Sequence, residues 1–94
     1  MKKIRDFQEK DRLTMPLLVK EVKNGTTNKG APYLSVIVQD SSGTIDGKFW
    51  DVKPEDQKTI RTGRIVQFWF DVLLYNQALQ LRITRAEPPR TELL

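Results

Sequence analysis

The chain has no cysteine and no histidine. Without cysteine there is neither a disulfide framework nor a thiolate metal site, and such a fold suits a reducing, cytoplasmic compartment. Without histidine the usual general base, the usual metal ligand and any Ser-His or Cys-His pair are missing. No apolar run approaches the roughly 20 residues of a membrane span, and the N-terminus lacks an apolar signal core. The chain's 94 residues make one domain. At this length about 60–65% of the unfolded surface is buried, so the core is small and must pack well.

What is present is a mild excess of positive charge. Sixteen Lys and Arg oppose twelve Asp and Glu, a net charge of +4. This favours anionic partners but is weak evidence alone. Residues 1–12 hold five basic and three acidic side chains, half of the excess. That segment reads as a lead-in: either a solvated tail or a turn of helix that docks Ile4 and Phe7.

The strongest pattern runs from Pro32 to Trp50. Leu34, Val36 and Val38 share one strand face, and Tyr33, Ser35, Ile37 and Gln39 share the other. Asp40-Ser41-Ser42-Gly43 is turn chemistry, after which Ile45, Gly47 and Phe49 continue at period two. Before this hairpin, Leu13 to Asn24 reads as a first strand whose parity breaks at Val22, predicting a bulge near Lys20 and Glu21. Gly25 to Ala31 is a loop expected to be mobile. After the hairpin, Pro54, Glu55 and Asp56 suit the start of a short helix that can plug a barrel end through Val52 and Ile60. Arg64 to Leu74 is a fourth strand with Val66, Phe68, Phe70 and Val72 on one face. Leu79 to Ala86 is a fifth, with Leu79, Leu81 and Ile83 inward, and Pro88-Pro89 ends the sheet. Strand, strand, strand, helix, strand, strand is the order of an all-β, five-stranded Greek-key OB-fold barrel, with the short helix between strands three and four. The domain is expected to span 13–87, with 88–94 a tail or the start of a linker to a missing catalytic domain.

Three stretches carry a resemblance: Asn28 to Leu34, Val38 to Ile45, and Lys48-Phe49-Trp50-Asp51-Val52, together with Tyr75 and Gln80-Leu81-Arg82-Ile83. Over roughly residues 13–86 the chain resembles the N-terminal OB domain of bacterial YhaM-type 3′-to-5′ exoribonucleases, also described as CMP-binding factors. The resemblance implies a C-terminal HD-type nuclease domain that cleaves RNA or single-stranded DNA. Divalent metal is expected only there, and no cofactor in this domain. That domain's signature needs histidines, so this chain does not contain it. Where family members tend to place a small residue in the fourth strand, Phe70 stands beside Trp69.

OB-folds bind single strands through aromatic stacking and a basic groove. On the outward face this points to Tyr33, Ser35, Lys48, Gln80 and Arg82, with Lys23, Asn28, Lys29, Tyr75 and Asn76 on its edges. Tyr33 would stack a base, and Lys29, Lys48 and Arg82 would hold phosphates. Each has a plainer role. Arg82 can pair with Asp46 across the sheet, and Tyr75 can close the last hairpin. Trp50 and Trp69 read first as packing residues, Trp69 capped by Ile4 or Phe7 or meeting another domain. The alternative function is a protein–protein or homo-oligomer contact through Ile37, Trp69, Leu93 and Leu94. A carboxylate metal site at Asp40, Asp46 and Asp51 is weaker, because turn, sheet and pre-helix roles account for each.

Overall fold

The computed structural model describes residues 2–89. Strands β1 (Arg12–Thr26), β2 (Pro32–Asp40), β3 (Gly43–Trp50), β4 (Ile65–Tyr75) and β5 (Ala78–Glu87) surround one core, and helix α1 (Pro54–Thr59) lies between β3 and β4. They close in the order β1-β2-β3-β5-β4. With its Greek-key crossing and its helix after the third strand, this is an OB-fold.

Closure depends on two local devices. The first is the bulge in β1. Arg12 to Leu18 pair with β4, Leu18 to Thr26 pair with β2, and the register slips between Val19 and Glu21. The extra residue, Lys20, bends the strand so that one element serves both edges. The second is Gly47. It lies inward where β3 meets β5 in parallel, opposite Leu81. A Cβ there would stand 3.0 Å from the Ile83 side chain and 3.3 Å from Leu81, so a side chain would push the seam apart.

The core follows the alternation of the strands. Val19, Val36, Val38, Phe68 and Val72 are fully enclosed, and Leu17, Leu34, Val66, Phe70 and Leu81 nearly so. Each such burial contributes about 1.5–3 kcal/mol. One end of the barrel is stoppered by Val52 and Ile60, which flank α1. Pro54 begins that helix, and the Asp56 carboxylate accepts the Lys53 N–H at 3.0 Å. β5 carries its own bulge. Trp69 pairs with Arg85 but Phe70 with Ile83, so Thr84 is the extra residue, and its hydroxyl donates to the Trp69 carbonyl at 3.2 Å. The bulge flips parity, turning Ala86 into the core and Arg85 outward.

The lead-in is part of the barrel rather than a solvated tail. Ile4 to Asp6 form a 3-10 turn with Ile4 buried. Phe7 packs on Phe70 with ring centroids 5.5 Å apart. Lys10 N–H donates to the Val72 carbonyl, and Val72 N–H donates to that of Asp11, both at 2.8 Å. Two apolar side chains in a charged stretch suffice to dock it: Ile4 and Phe7 are both buried, and Phe7 covers Phe70.

Candidate nucleic-acid interface

Strand register sets the outer surface. Lys23 lies opposite Ser35, Ser35 opposite Lys48, Lys48 beside Arg82, Arg82 opposite Asp71, and Asp71 opposite Arg12. These six residues make one unbroken row across the barrel, with four cations and one carboxylate. Lys48 Nζ donates to Ser35 Oγ at 2.8 Å and, among the described residues, forms no ion pair. Lys23 lies 3.4 Å from Glu21, an exposed contact of little strength.

Two residues along β2 and β3 from this row stands an aromatic pair. Tyr33 faces Trp50 across the hairpin, with ring centroids 4.8 Å apart and planes tilted 38°. The Tyr33 ring also lies over Gly25, where a Cβ would be 2.5 Å from it. A side chain at this position would displace the Tyr33 ring from where it lies. Tyr33 is therefore half-covered, and Trp50 is the open member at 46% exposure. Trp50 is a surface platform, not the packing residue that its size suggested. The signal was available: Gly47 and Phe49 point inward, so Lys48 and Trp50 must share the outer face.

The loop between β1 and β2 flanks this pair and carries Asn28 and Lys29, both exposed. It folds onto Thr27, whose hydroxyl oxygen accepts the Ala31 N–H at 3.1 Å and the Lys29 N–H at 3.3 Å. Thr27 N–H in turn donates to the Ala31 carbonyl at 2.8 Å. The loop predicted to be mobile is thus internally bonded.

The sequence-predicted set divides here. Lys23, Ser35, Lys48, Arg82 and Tyr33 share one face with the loop residues beside them, and Gln80 lies half-buried two residues from Arg82. Tyr75 and Asn76 are elsewhere. They occupy the tip of the β4–β5 hairpin, about 20 Å along the strands from the aromatic pair at 3.3 Å per residue. Tyr75 is 61% exposed there, beside Leu73 and Leu74.

Arg82 does not pair with Asp46. Its Nη2 lies 2.5 Å from Asp71 Oδ2, while Arg12 Nε donates to Asp71 Oδ1 at 2.9 Å. The Arg82 hydrogen bond holds the Asp71 carboxyl below the usual carboxylate range; burial opposes this and Arg12 reinforces it. Asp46 on β3 stands two residues from Lys48, which faces Arg82 across the parallel seam, whereas Asp71 lies directly opposite Arg82 across the β4–β5 hairpin. Trp69 is capped neither by Ile4 nor by Phe7. The Arg85 guanidinium sits 4.9 Å from its ring centroid and is itself paired with Glu87.

A cavity of about 680 Å³ lies between α1 and the ends of β3 and β5, with Trp50 on its wall. Asp51, Glu55, Asp56 and Glu87 outnumber Lys53 and Arg85 along it, so it repels a phosphate chain. Asp40, Asp46 and Asp51 stay apart, and among the described residues no cluster of three acidic groups could hold a metal ion. No helix among the described residues is long and apolar enough to cross a membrane.

No family model matches the chain. Among solved structures it is similar to the second OB-fold domain of replication protein A from Methanococcus maripaludis, at 17% identity and TM-score 0.70, over 99% of this chain and 98% of that one. It is similar to the SSB domain of a Synechococcus protein at 14% identity and TM-score 0.71, over 86% and 98%. A third likeness is to a replication protein A heterotrimer bound to single-stranded DNA, at 17% identity and TM-score 0.68, covering 85% of this chain and 58% of that one. At these identities the likeness carries the fold.

Proposed function

We propose that this domain binds single-stranded RNA or DNA without reading its sequence. The observation that carries the reading is the row of Lys23, Ser35, Lys48 and Arg82 beside the stacked Tyr33–Trp50 pair. Cations at strand spacing meet phosphates, and an open indole meets any base, since every base has a π-face. The OB neighbours support it, as one is a replication protein A heterotrimer bound to single-stranded DNA. The resemblance to YhaM-type enzymes extends the reading. The domain would then capture 3′ tails for an attached HD-type nuclease in a bacterial cytoplasm. Metal chemistry would belong to that nuclease, and this chain would contribute binding without catalysis.

The test is fluorescence anisotropy of a labelled oligothymidine at low and moderate salt. With three phosphate contacts, log K should fall against log salt with a slope of about −2. Trp50→Ala should weaken binding about tenfold, the loss of one stacked base, and Tyr33→Ala several-fold. Affinity that ignores both salt and Trp50 would end the reading. A contact between copies is the second reading, favoured by the exposed Leu73, Leu74 and Tyr75. The sequence had pointed instead to Ile37, Trp69 and Leu93-Leu94. Trp69 is capped by Arg85, and Leu93 and Leu94 lie outside the described residues. Salt-insensitive self-association in sedimentation would favour this second reading.

A further inference from the structure

Arg82 stands at a seam. On one side it continues the row from Lys48 across β3 and β5, and on the other it opens onto a cavity of about 430 Å³ on the β1–β4–β5 surface. Trp69, Thr14, Thr84, Arg12 and Arg82 line that cavity around Asp71. Its size falls within the roughly 300–1,000 Å³ of small-ligand sites. The two guanidiniums are pre-aimed. Each gives Asp71 one nitrogen, leaving most of its five N–H donors unused, and the side chains remain 85% exposed for Arg12 and 52% for Arg82. Two arginines against one carboxylate leave a net positive charge. Arg85 covers Trp69 but does not line this cavity, so the indole surface facing the cavity lies outside that cap. From Lys48 the cavity is two strand spacings away, about 10 Å, within reach of a chain already seated on the row.

The geometry points to a second nucleotide site on the back of the barrel. A strand held at Tyr33, Trp50 and Lys48 passes over the β3–β5 seam at Arg82. Its next nucleotides enter the cavity, with a base against Trp69 and a phosphate between Arg12 and Arg82. This rests on the single-strand reading above and deepens it. It gives the domain a path across both faces and a dependence on ligand length.

The chain has two tryptophans, so each site can carry its own reporter. Trp50→Phe leaves Trp69 alone, and Trp69→Phe leaves Trp50 alone. Both are titrated with oligothymidines of about 4 and about 12 nucleotides, bracketing the low and middle range of OB site sizes. The longer strand should quench both reporters and the shorter one only Trp50. Arg12→Gln in the Trp50→Phe background should raise the midpoint of Trp69 quenching about fivefold or more. Trp50 quenched by both lengths with Trp69 unchanged would overturn the back site and leave the front one standing. Trp69 quenching indifferent to Arg12→Gln would overturn the phosphate clamp. No quenching of either reporter and no anisotropy change would sink both readings. The Trp50→Phe arm needs no substitution inside the proposed cavity, so it does not depend on Trp69→Phe folding.

Discussion

The β2–β3 and β4–β5 hairpins are both antiparallel, and both end in tight turns, yet one turn is roofed by chain while the other stands free. At the first, Asp40 accepts the Ser42 N–H at 2.7 Å, the Ser42 hydroxyl at 2.6 Å and the Ile4 N–H at 2.9 Å. Ser42 Oγ accepts the Arg5 N–H, and Lys3 Nζ donates to Ser41, both at 3.1 Å. At the second, Asn76 and Gln77 take φ of 51° and 66°, as a type I′ turn requires. Leu73, Leu74 and Tyr75 stand in solvent beside it. The roofed hairpin carries the aromatic pair and Lys48, and the free one carries the apolar tip. Fixing the first turn to the lead-in anchors that end of the hairpin, while the aromatic pair stands seven residues away at the other end, over Gly25. The free turn has no such anchor.

The sharpest way to test this contrast compares an aromatic residue from each region. Phe7 is 5% exposed and lies against Phe70. Phe7→Ala should cost about 3 kcal/mol, a buried aromatic lost with partial collapse of its site. Tyr75→Ala should fall within about 0.5 kcal/mol of the parent protein. Urea unfolding midpoints read both. Equal small effects would mean that the lead-in is a loose tail and the roof is not there.

A middle-sized effect separates the turns by pH. Burial raises the Asp40 carboxyl, but the Ser42 hydroxyl and the N–H groups of Ile4, Ser42 and Gly43 outweigh it, so it titrates below its ordinary value. A depressed carboxylate contributes stability that is complete above its unfolded-state pKa, near 3.9. That contribution is lost as pH falls through the lower folded value. Asp40→Ala should therefore cost about 1–2 kcal/mol at neutral pH, and its gap from the parent protein should close on acidification below about pH 4. Thermal unfolding across that range reads the gap. The free turn contains no carboxylate. A gap that stayed constant with pH would show that the roof does not hang on Asp40.

Much of the fold is legible in neighbouring residues, and the lead-in is the part that is not. The hairpin register, the Lys20 bulge and the Pro54 helix start are written in neighbouring residues, and the structure has all three. The parity break at Val22 could be read because a bulge is the cheapest way to keep apolar side chains inward. The bulge at Thr84 breaks the alternation expected for β5, and its signal is the cost of burying Arg85 that plain alternation would impose. Arg82 meets Asp71, and Trp69 meets Arg85, across the β4–β5 hairpin itself. The Asn76-Gln77 turn sets Arg82 opposite Asp71, whereas the Trp69–Arg85 pairing follows only once the Thr84 bulge has shifted the register. Ile4 and Phe7 could not be assigned to the core because two apolar residues in a charged stretch have no period. On the face itself, alternation places Lys48, Tyr33 and Trp50 together, although the size of Trp50 suggests the core. For Tyr75 and Asn76, sequence shows that a turn exists but not which end of the barrel it occupies.

The smallest effect concerns the free turn itself. Gln77 is a side-chain-bearing residue in the left-handed region at φ 66°, where an L residue is strained by roughly 1–2 kcal/mol. Glycine removes that strain but orders a more flexible unfolded chain, at a cost of about 0.5–1 kcal/mol. Gln77→Gly should therefore stabilise the domain by about 0.5 kcal/mol, read as a small rise in urea midpoint with an unchanged slope. A turn that is free of tertiary contact can respond only through its backbone, so the gain should appear and the Tyr33–Trp50 face should keep its spectrum. A loss of stability instead would mean that the Gln77 side chain holds a contact, and the second hairpin would no longer be the free one.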